Sequence, residues 1–169
     1  MSAELFNEFE RELLDAARVL LSDGLTRLST REGLFPTTRN RTRADRAECT
    51  KARGALVDYL VATYGPLRHE VACVALIDAQ GRLISVKEFP RGKATECEVS
   101  PLVLAEYIIQ SGACAVVLVH NHPSGDNTPS EQDVKMTDAY KSWLGFMRVE
   151  LIDHLVISMD GAASIIGGL

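Results

Sequence analysis

The 169-residue chain is expected to fold as an α/β protein: a β-sheet flanked by helices over residues 67–169, preceded by a helical extension over 1–66. Three observations lead there. "ACAVVLV" (Ala113–Val119) is an unbroken apolar run, the pattern of a strand in a sheet covered on both faces. Segments with apolar residues at three- and four-residue steps alternate with β-branched runs, the order that builds a layered α/β domain. The composition, 46% hydrophobic and 24% charged, is enough for a substantial core.

Phe6, Phe9, Leu13, Ala17 and Leu20 set an amphipathic helix over 3–22, stopped by Ser22-Asp23-Gly24. Residues 24–45 mix Gly, Pro, Thr and Arg without a period and read as a linker. Ala47, Leu56, Leu60 and Val61 predict a helix over 46–63, which Gly65-Pro66 closes. Val71–Ile77 is a strand ending in the turn sequence Asp78-Ala79-Gln80-Gly81, and Arg82–Phe89 alternates as its partner. Ser100 stands as N-cap with Pro101 at the first helical position, and that helix runs to Gly112. Glu131 to about Met147 is helical, with Tyr140 and Trp143 at core spacing. Val149–Ser158 is a strand, Met159–Ala162 a turn, and a short strand follows to the end.

The net charge of −5 gives no global nucleic-acid signal, but residues 27–53 hold eight basic residues against three acidic ones. "RNRTRADR" (residues 39–46) is the candidate phosphate-neutralising segment. It has no interleaved aromatics for base stacking, which favours a solvated charged loop. The acidic N-terminus lacks the basic and apolar regions of a secretory signal, and no apolar run approaches the roughly 20 residues of a membrane span. A cytoplasmic protein without a membrane contact is the expectation. Cys49, Cys73, Cys97 and Cys114 form no C-x-x-C pair and are expected to be buried, reduced thiols.

The chemistry concentrates in "VHNHPSGDNTPSEQD", residues 119–133. Side chains two apart on a strand share a face, so His120 and His122 can meet one cation if the strand persists that far. Zinc binds neutral imidazole, and a catalytic site needs a third protein ligand with one position left open. Asp133, near the start of the next helix, is the candidate, and Pro123 and Pro129 stiffen the loop that carries it. Ser130 is open to two readings, a helix cap in an S-x-x-D capping box or a hydroxyl pointing into the site. Asn121 points to the opposite face and reads as structural.

His120, His122, Ser130 and Asp133 in the pattern H-x-H-x7-S-x2-D resemble the signature of JAMM (MPN+, JAB) metalloproteases. "ACAVVLVHNHPSGDNTPSEQD" followed by "VELIDHLVI" is similar, more narrowly, to the bacterial RadC family, over residues 67 to the C-terminus. Residues 1–66 hold no convincing copy of the helix-hairpin-helix region that full-length members carry upstream. The resemblance implies a mixed sheet flanked by helices, a fold shared with cytidine deaminases. A deaminase itself is excluded, since neither H-x-E nor P-C-x-x-C is present. It implies Zn2+ held by His120, His122 and Asp133, with Ser130 as oxyanion donor. It also implies Glu70, in "LRHEVACVALID", as general base, a choice that chain spacing alone leaves open among Glu70, Glu88, Glu96, Glu98 and Glu106. The implied activity is a zinc peptidase or isopeptidase acting on a protein or peptide, with ubiquitin-like conjugates as the broad substrate class. The alternative is a DNA-repair-associated or nucleic-acid-binding accessory protein with a structural or vestigial metal site. Asp153-His154 also matches the RadC pattern, and a buried, hydrogen-bonded His154 is the expectation.

Overall fold

The computed structural model describes residues 43–89 and 99–167, with side chains from residue 52. The expected helix over 3–22 and nearly all of the linker lie outside them. Helix α1 (Arg43–Tyr64) leads into strands β1 (Ala72–Ile77) and β2 (Leu83–Glu88). Helix α2 (Pro101–Ser111), strand β3 (Ala115–Asn121), helix α3 (Glu131–Phe146), and strands β4 (Glu150–Ser158) and β5 (Gly161–Ser164) follow. The five strands form one mixed sheet in the order β2-β1-β3-β4-β5, with β3 and β4 parallel and every other pair antiparallel. This is the mixed sheet flanked by helices that the sequence implied.

Every residue of β1 and β3 is buried, which is why both read as apolar runs without alternation. Two cores lie on the two faces. On one, Leu56, Leu60 and Tyr64 of α1 pack on Cys73, Ala75, Val117, Val119, Leu155 and Ile157. On the other, Leu104 and Ile108 of α2 and Tyr140 and Leu144 of α3 pack on Val74, Leu76, Val116, Leu118 and Leu151. The helix within the N-terminal segment is thus a layer of the sheet domain. It starts three residues earlier than expected, at Arg43, and ends where Gly65 must be small. A Cβ there would lie 2.6 Å from the Ser158 carbonyl oxygen and 2.7 Å from that of Val61.

Two details depart from the expected elements. The apolar strand runs from Ala115 to Asn121 rather than from Ala113 to Val119, because the left-handed Gly112 (φ 68°) and the two residues after it still belong to the turn out of α2. Cys73 is a buried free thiol as expected, but Cys114, free as well, sits in that turn and is exposed. Tyr140 is core, its hydroxyl donating to the Val99 carbonyl, and Trp143 packs edge-on against it with ring centroids 6.2 Å apart.

Since α1 covers one core with Ala52, Leu56, Leu60 and Tyr64, Leu60→Ala should lower stability by about 2–5 kcal/mol in a single cooperative transition. Denaturant unfolding followed by circular dichroism reads this. A separate early transition of α1, with the sheet midpoint unmoved, contradicts it.

Candidate metal centre

Alternation along β3 sends adjacent polar residues to opposite faces. His120 shares its face with Val116 and Leu118, on the side of α2 and α3, whereas Asn121 shares the α1 side with Val117 and Val119. His122 is one residue past the strand, but its N–H donates to the Ile157 carbonyl at 2.8 Å, so pairing with β4 continues through it. A turn then closes with the Gly125 N–H on the His122 carbonyl, 3.1 Å, and Gly125 at φ 89°. It brings the Asp126 carbonyl to 2.8 Å from His122 Nδ1. A carbonyl only accepts, so Nδ1 carries the proton and Nε2 keeps its lone pair.

Ser130 and Asp133 open α3 as a capping box. The Ser130 Oγ accepts from the Asp133 N–H at 3.1 Å, and Asp133 Oδ2 accepts from the Ser130 N–H at 2.7 Å. Asp133 Oδ2 also receives the Ser130 hydroxyl at 2.6 Å. With Oδ2 held in this way, Oδ1 faces His120 Nε2 at 3.2 Å. The two histidine Nε2 atoms are 3.1 Å apart. Ligand atoms of the three residues all fall within 4.8 Å of one another. Two donors roughly 2.0–2.1 Å from one tetrahedral ion stand about 3.3–3.4 Å apart, so the two pairs at His120 fit a single zinc-sized cation, while Asp133 Oδ2 stands wider, 3.8 Å from His122 Nε2.

Electrostatics keeps His120 neutral and Asp133 ionised. Burial lowers the His120 pKa to about 4, against the pull of Asp133 in the other direction. Burial also pushes the Asp133 carboxyl upward, but the Ser130 hydrogen bonds and then the two histidines outweigh it and hold the pKa below the ordinary value. His154, expected to be buried and hydrogen-bonded, lies beneath His120. Its Nε2 is 2.9 Å from His120 Nδ1 and its Nδ1 is 2.7 Å from the Thr137 hydroxyl. Burial lowers its pKa to about 3.

Glu70 lines the same cavity, about 180 Å³, together with His120, His122, Ser130, Asp133, Val99 and Met136. Register explains its position. Ala72 pairs with His120 across β1 and β3, so two places further along the antiparallel pair Glu70 stands opposite His122. Asn121, on the other face, ties that segment down. Its Oδ1 accepts from the Val71 N–H at 2.7 Å, and its Nδ2 donates to the carbonyls of His69 (3.1 Å) and Leu67 (3.3 Å). The other candidate glutamates lie elsewhere or outside the described residues. Glu88 ends β2 at the sheet edge and Glu106 is on α2.

The model of the RadC-like JAB domain family matches residues 50–167. The chain belongs to this family. Among its relatives are UPF0758 proteins of Polaromonas sp., 39% identical over 65% of this chain, and of Vibrio cholerae, 36% identical over 60%. A UPF0758 protein of Leptothrix cholodnii is 37% identical over 65%. The aligned stretches cover 49%, 65% and 50% of those proteins, so the chain spans about half to two thirds of their length.

Within the RadC-like JAB domain, the match begins inside α1 and includes every residue of the cluster. Sequence reasoning missed Thr137, which carries no motif signal, and left the Asp153-His154 pair without a mechanism. The Asp153 carboxylate is buried and accepts from the His154 N–H (2.7 Å), the Ser164 hydroxyl (2.6 Å) and the Ile166 N–H (3.1 Å), which fixes the segment after β5. The arginine-rich stretch has its side chains outside the described residues. No helix among the described residues is long and apolar enough to cross a membrane.

His120 and His154 make the native state acid-sensitive. Below their ordinary value of 6.5 the unfolded chain takes up protons that the folded chain refuses down to about 4 and about 3. Stability is therefore full above pH 6.5 and falls as pH drops through that window, by on the order of a few kcal/mol in all. Asp133, with its lowered value, adds a further loss below the ordinary carboxylate range. Thermal unfolding of metal-free protein from pH 7 to pH 4 should show the decline, and His154→Gln should flatten it. A melting temperature level across that range in the unaltered protein contradicts this assignment.

Proposed function

We propose that this RadC-like JAB domain is a zinc-dependent metallohydrolase of the peptidase or isopeptidase type. The observation that carries the reading is the convergence of His120 Nε2, His122 Nε2 and an Asp133 oxygen on one point, with Glu70 in the same cavity. Two nitrogens and one carboxylate oxygen are a donor set suited to zinc with an open position. A bound zinc ion supplies a water acidified toward pKa ~7 and a Lewis acid for the substrate carbonyl.

Glu70 takes a proton from the attacking water and returns it to the leaving amine. It is half-buried at the cavity wall, close enough to solvent to exchange that proton after each turnover. Ser130 serves the developing oxyanion once its hydroxyl turns from Asp133 Oδ2 to the substrate oxygen. Before that, it holds the aspartate in place. The substrate class is a protein or peptide amide, with ubiquitin-like conjugates as the broad class drawn from the JAB resemblance.

Elemental analysis of the purified protein should find about one zinc per chain, lost in His122→Ala. Glu70→Gln should keep zinc and fold while lowering turnover of a fluorogenic peptide panel, ubiquitin-like C-terminal amides included, by roughly 10²–10⁴-fold. A folded protein that takes up no zinc when it is supplied overturns the reading, and nucleic-acid binding through residues 39–46 then becomes the function to test.

A further inference from the structure

We propose that His154 and Thr137 are positioning residues that lock His120 in the tautomer with its proton on Nδ1, leaving the Nε2 lone pair aimed at the ligand cluster. This inference rests on the metal-site reading and deepens it. A run of short contacts carries it. His120 Nδ1 lies 2.9 Å from His154 Nε2, His154 Nδ1 lies 2.7 Å from Thr137 Oγ1, and Thr137 Oγ1 lies 2.6 Å from the Asp133 carbonyl oxygen.

The direction of the proton chain follows from its last member. A backbone carbonyl can only accept, so Thr137 gives it the one hydroxyl proton. Thr137 Oγ1 is then the acceptor for His154, whose Nδ1 must carry a proton. His154 Nε2 is left with a lone pair and accepts from His120 Nδ1–H. With both rings neutral, nothing in the run can be reversed without two protons, or two lone pairs, meeting at under 3 Å. The run starts on the ring of one ligand and ends on the backbone of another, so it also ties the end of β3 to the first turn of α3. Both rings are buried, so each ring nitrogen depends on a partner within the protein. Metal-binding histidines commonly donate their second ring N–H to such a partner, and losing it typically costs 10–100-fold in metal affinity.

A β-bulge makes the contact possible. The register between β3 and β4 slips between Val116, which pairs with Leu151, and Val117, which pairs with Asp153, leaving Ile152 extra. Beyond it His154 pairs with Leu118 and so falls on the face that carries His120.

The first test is long-range 15N–1H NMR of metal-free protein carrying 15N-labelled histidine, at neutral pH. His120 and His154 should both appear with Nδ1 protonated and Nε2 bare. Finding His120 protonated on Nε2 overturns the proposal, and because no zinc is present the result stands even if zinc binding fails. The second test is zinc affinity by chelator competition. His154→Leu should weaken zinc 10–100-fold. His154→Gln, which can still accept from His120, should recover most of that loss, as should Thr137→Ser relative to Thr137→Val. If His154→Leu does not fold, the Thr137 pair decides. Unchanged affinity in folded His154→Leu, or in folded Thr137→Val, overturns the proposal.

Discussion

The site depends on the register of β3 between its two neighbours. β3 pairs antiparallel with β1 and parallel with β4, and both faces of the sheet are buried. Within that frame three separate stretches of chain are brought to one end of the sheet. The β1 pairing sets Glu70 opposite His122, the β4 pairing places His154 diagonally from His120, and the loop after His122 returns Asp133 on the first turn of α3. A slip of one residue would turn both histidines into the α1 core and bring Asn121 into the cavity. The apolar run of β3 fits either alignment, because Val116 and Leu118 would serve beneath Leu56 and Leu60 as well as Val117 and Val119 do, so the polar residues at its end decide.

The capping box at the start of α3 also sets the direction of the Asp133 carboxylate in the cluster. A carboxylate at the third position of a helix normally closes a capping box by accepting from the N-cap backbone. Asp133 does so with one oxygen, and the second then has a fixed direction, toward His120. The helix start thus supplies the rigidity that a ligand needs, without a further residue to orient it. Ser130 is bound into the same box, so its hydroxyl spends its proton on Asp133 in the resting state.

Much of this was legible before any coordinates. The helix and strand order and the two-sided covering of the sheet follow from apolar periodicity. The pairing of His120 with His122 follows from the two-residue repeat of a strand, and the candidacy of Asp133 from its place at a helix start and from the family signature. What was not legible had a common cause, since it depends on pairing between distant segments. The position of Glu70 needs the register of β1 with β3. His154 needs a bulge, because strict alternation along β4 would place it on the face opposite Leu151, whereas the extra residue Ile152 puts both on the α3 side. Thr137 lies on a helix whose spacing suggests no role beyond packing. Exposure of Cys114 turned on two residues at the start of β3, where a left-handed glycine delays the strand.

Two dipeptides in the middle of the sheet divide their work in the same way. In His120-Asn121 one side chain faces the site and the next clamps the segment from Leu67 to Val71. In Asp153-His154 the second side chain faces the site and the first clamps the segment from Ser164 to Ile166. A buried polar group left unpaired costs about 1–3 kcal/mol, and these four side chains have partners only in the observed register. Shifted by one place, they would be pressed into apolar layers with those partners on the far side of the sheet. The polar residues of an otherwise apolar sheet therefore penalise the wrong alignment more than they strengthen the right one. The same clamps that hold the ligand cluster together also select the fold that contains it.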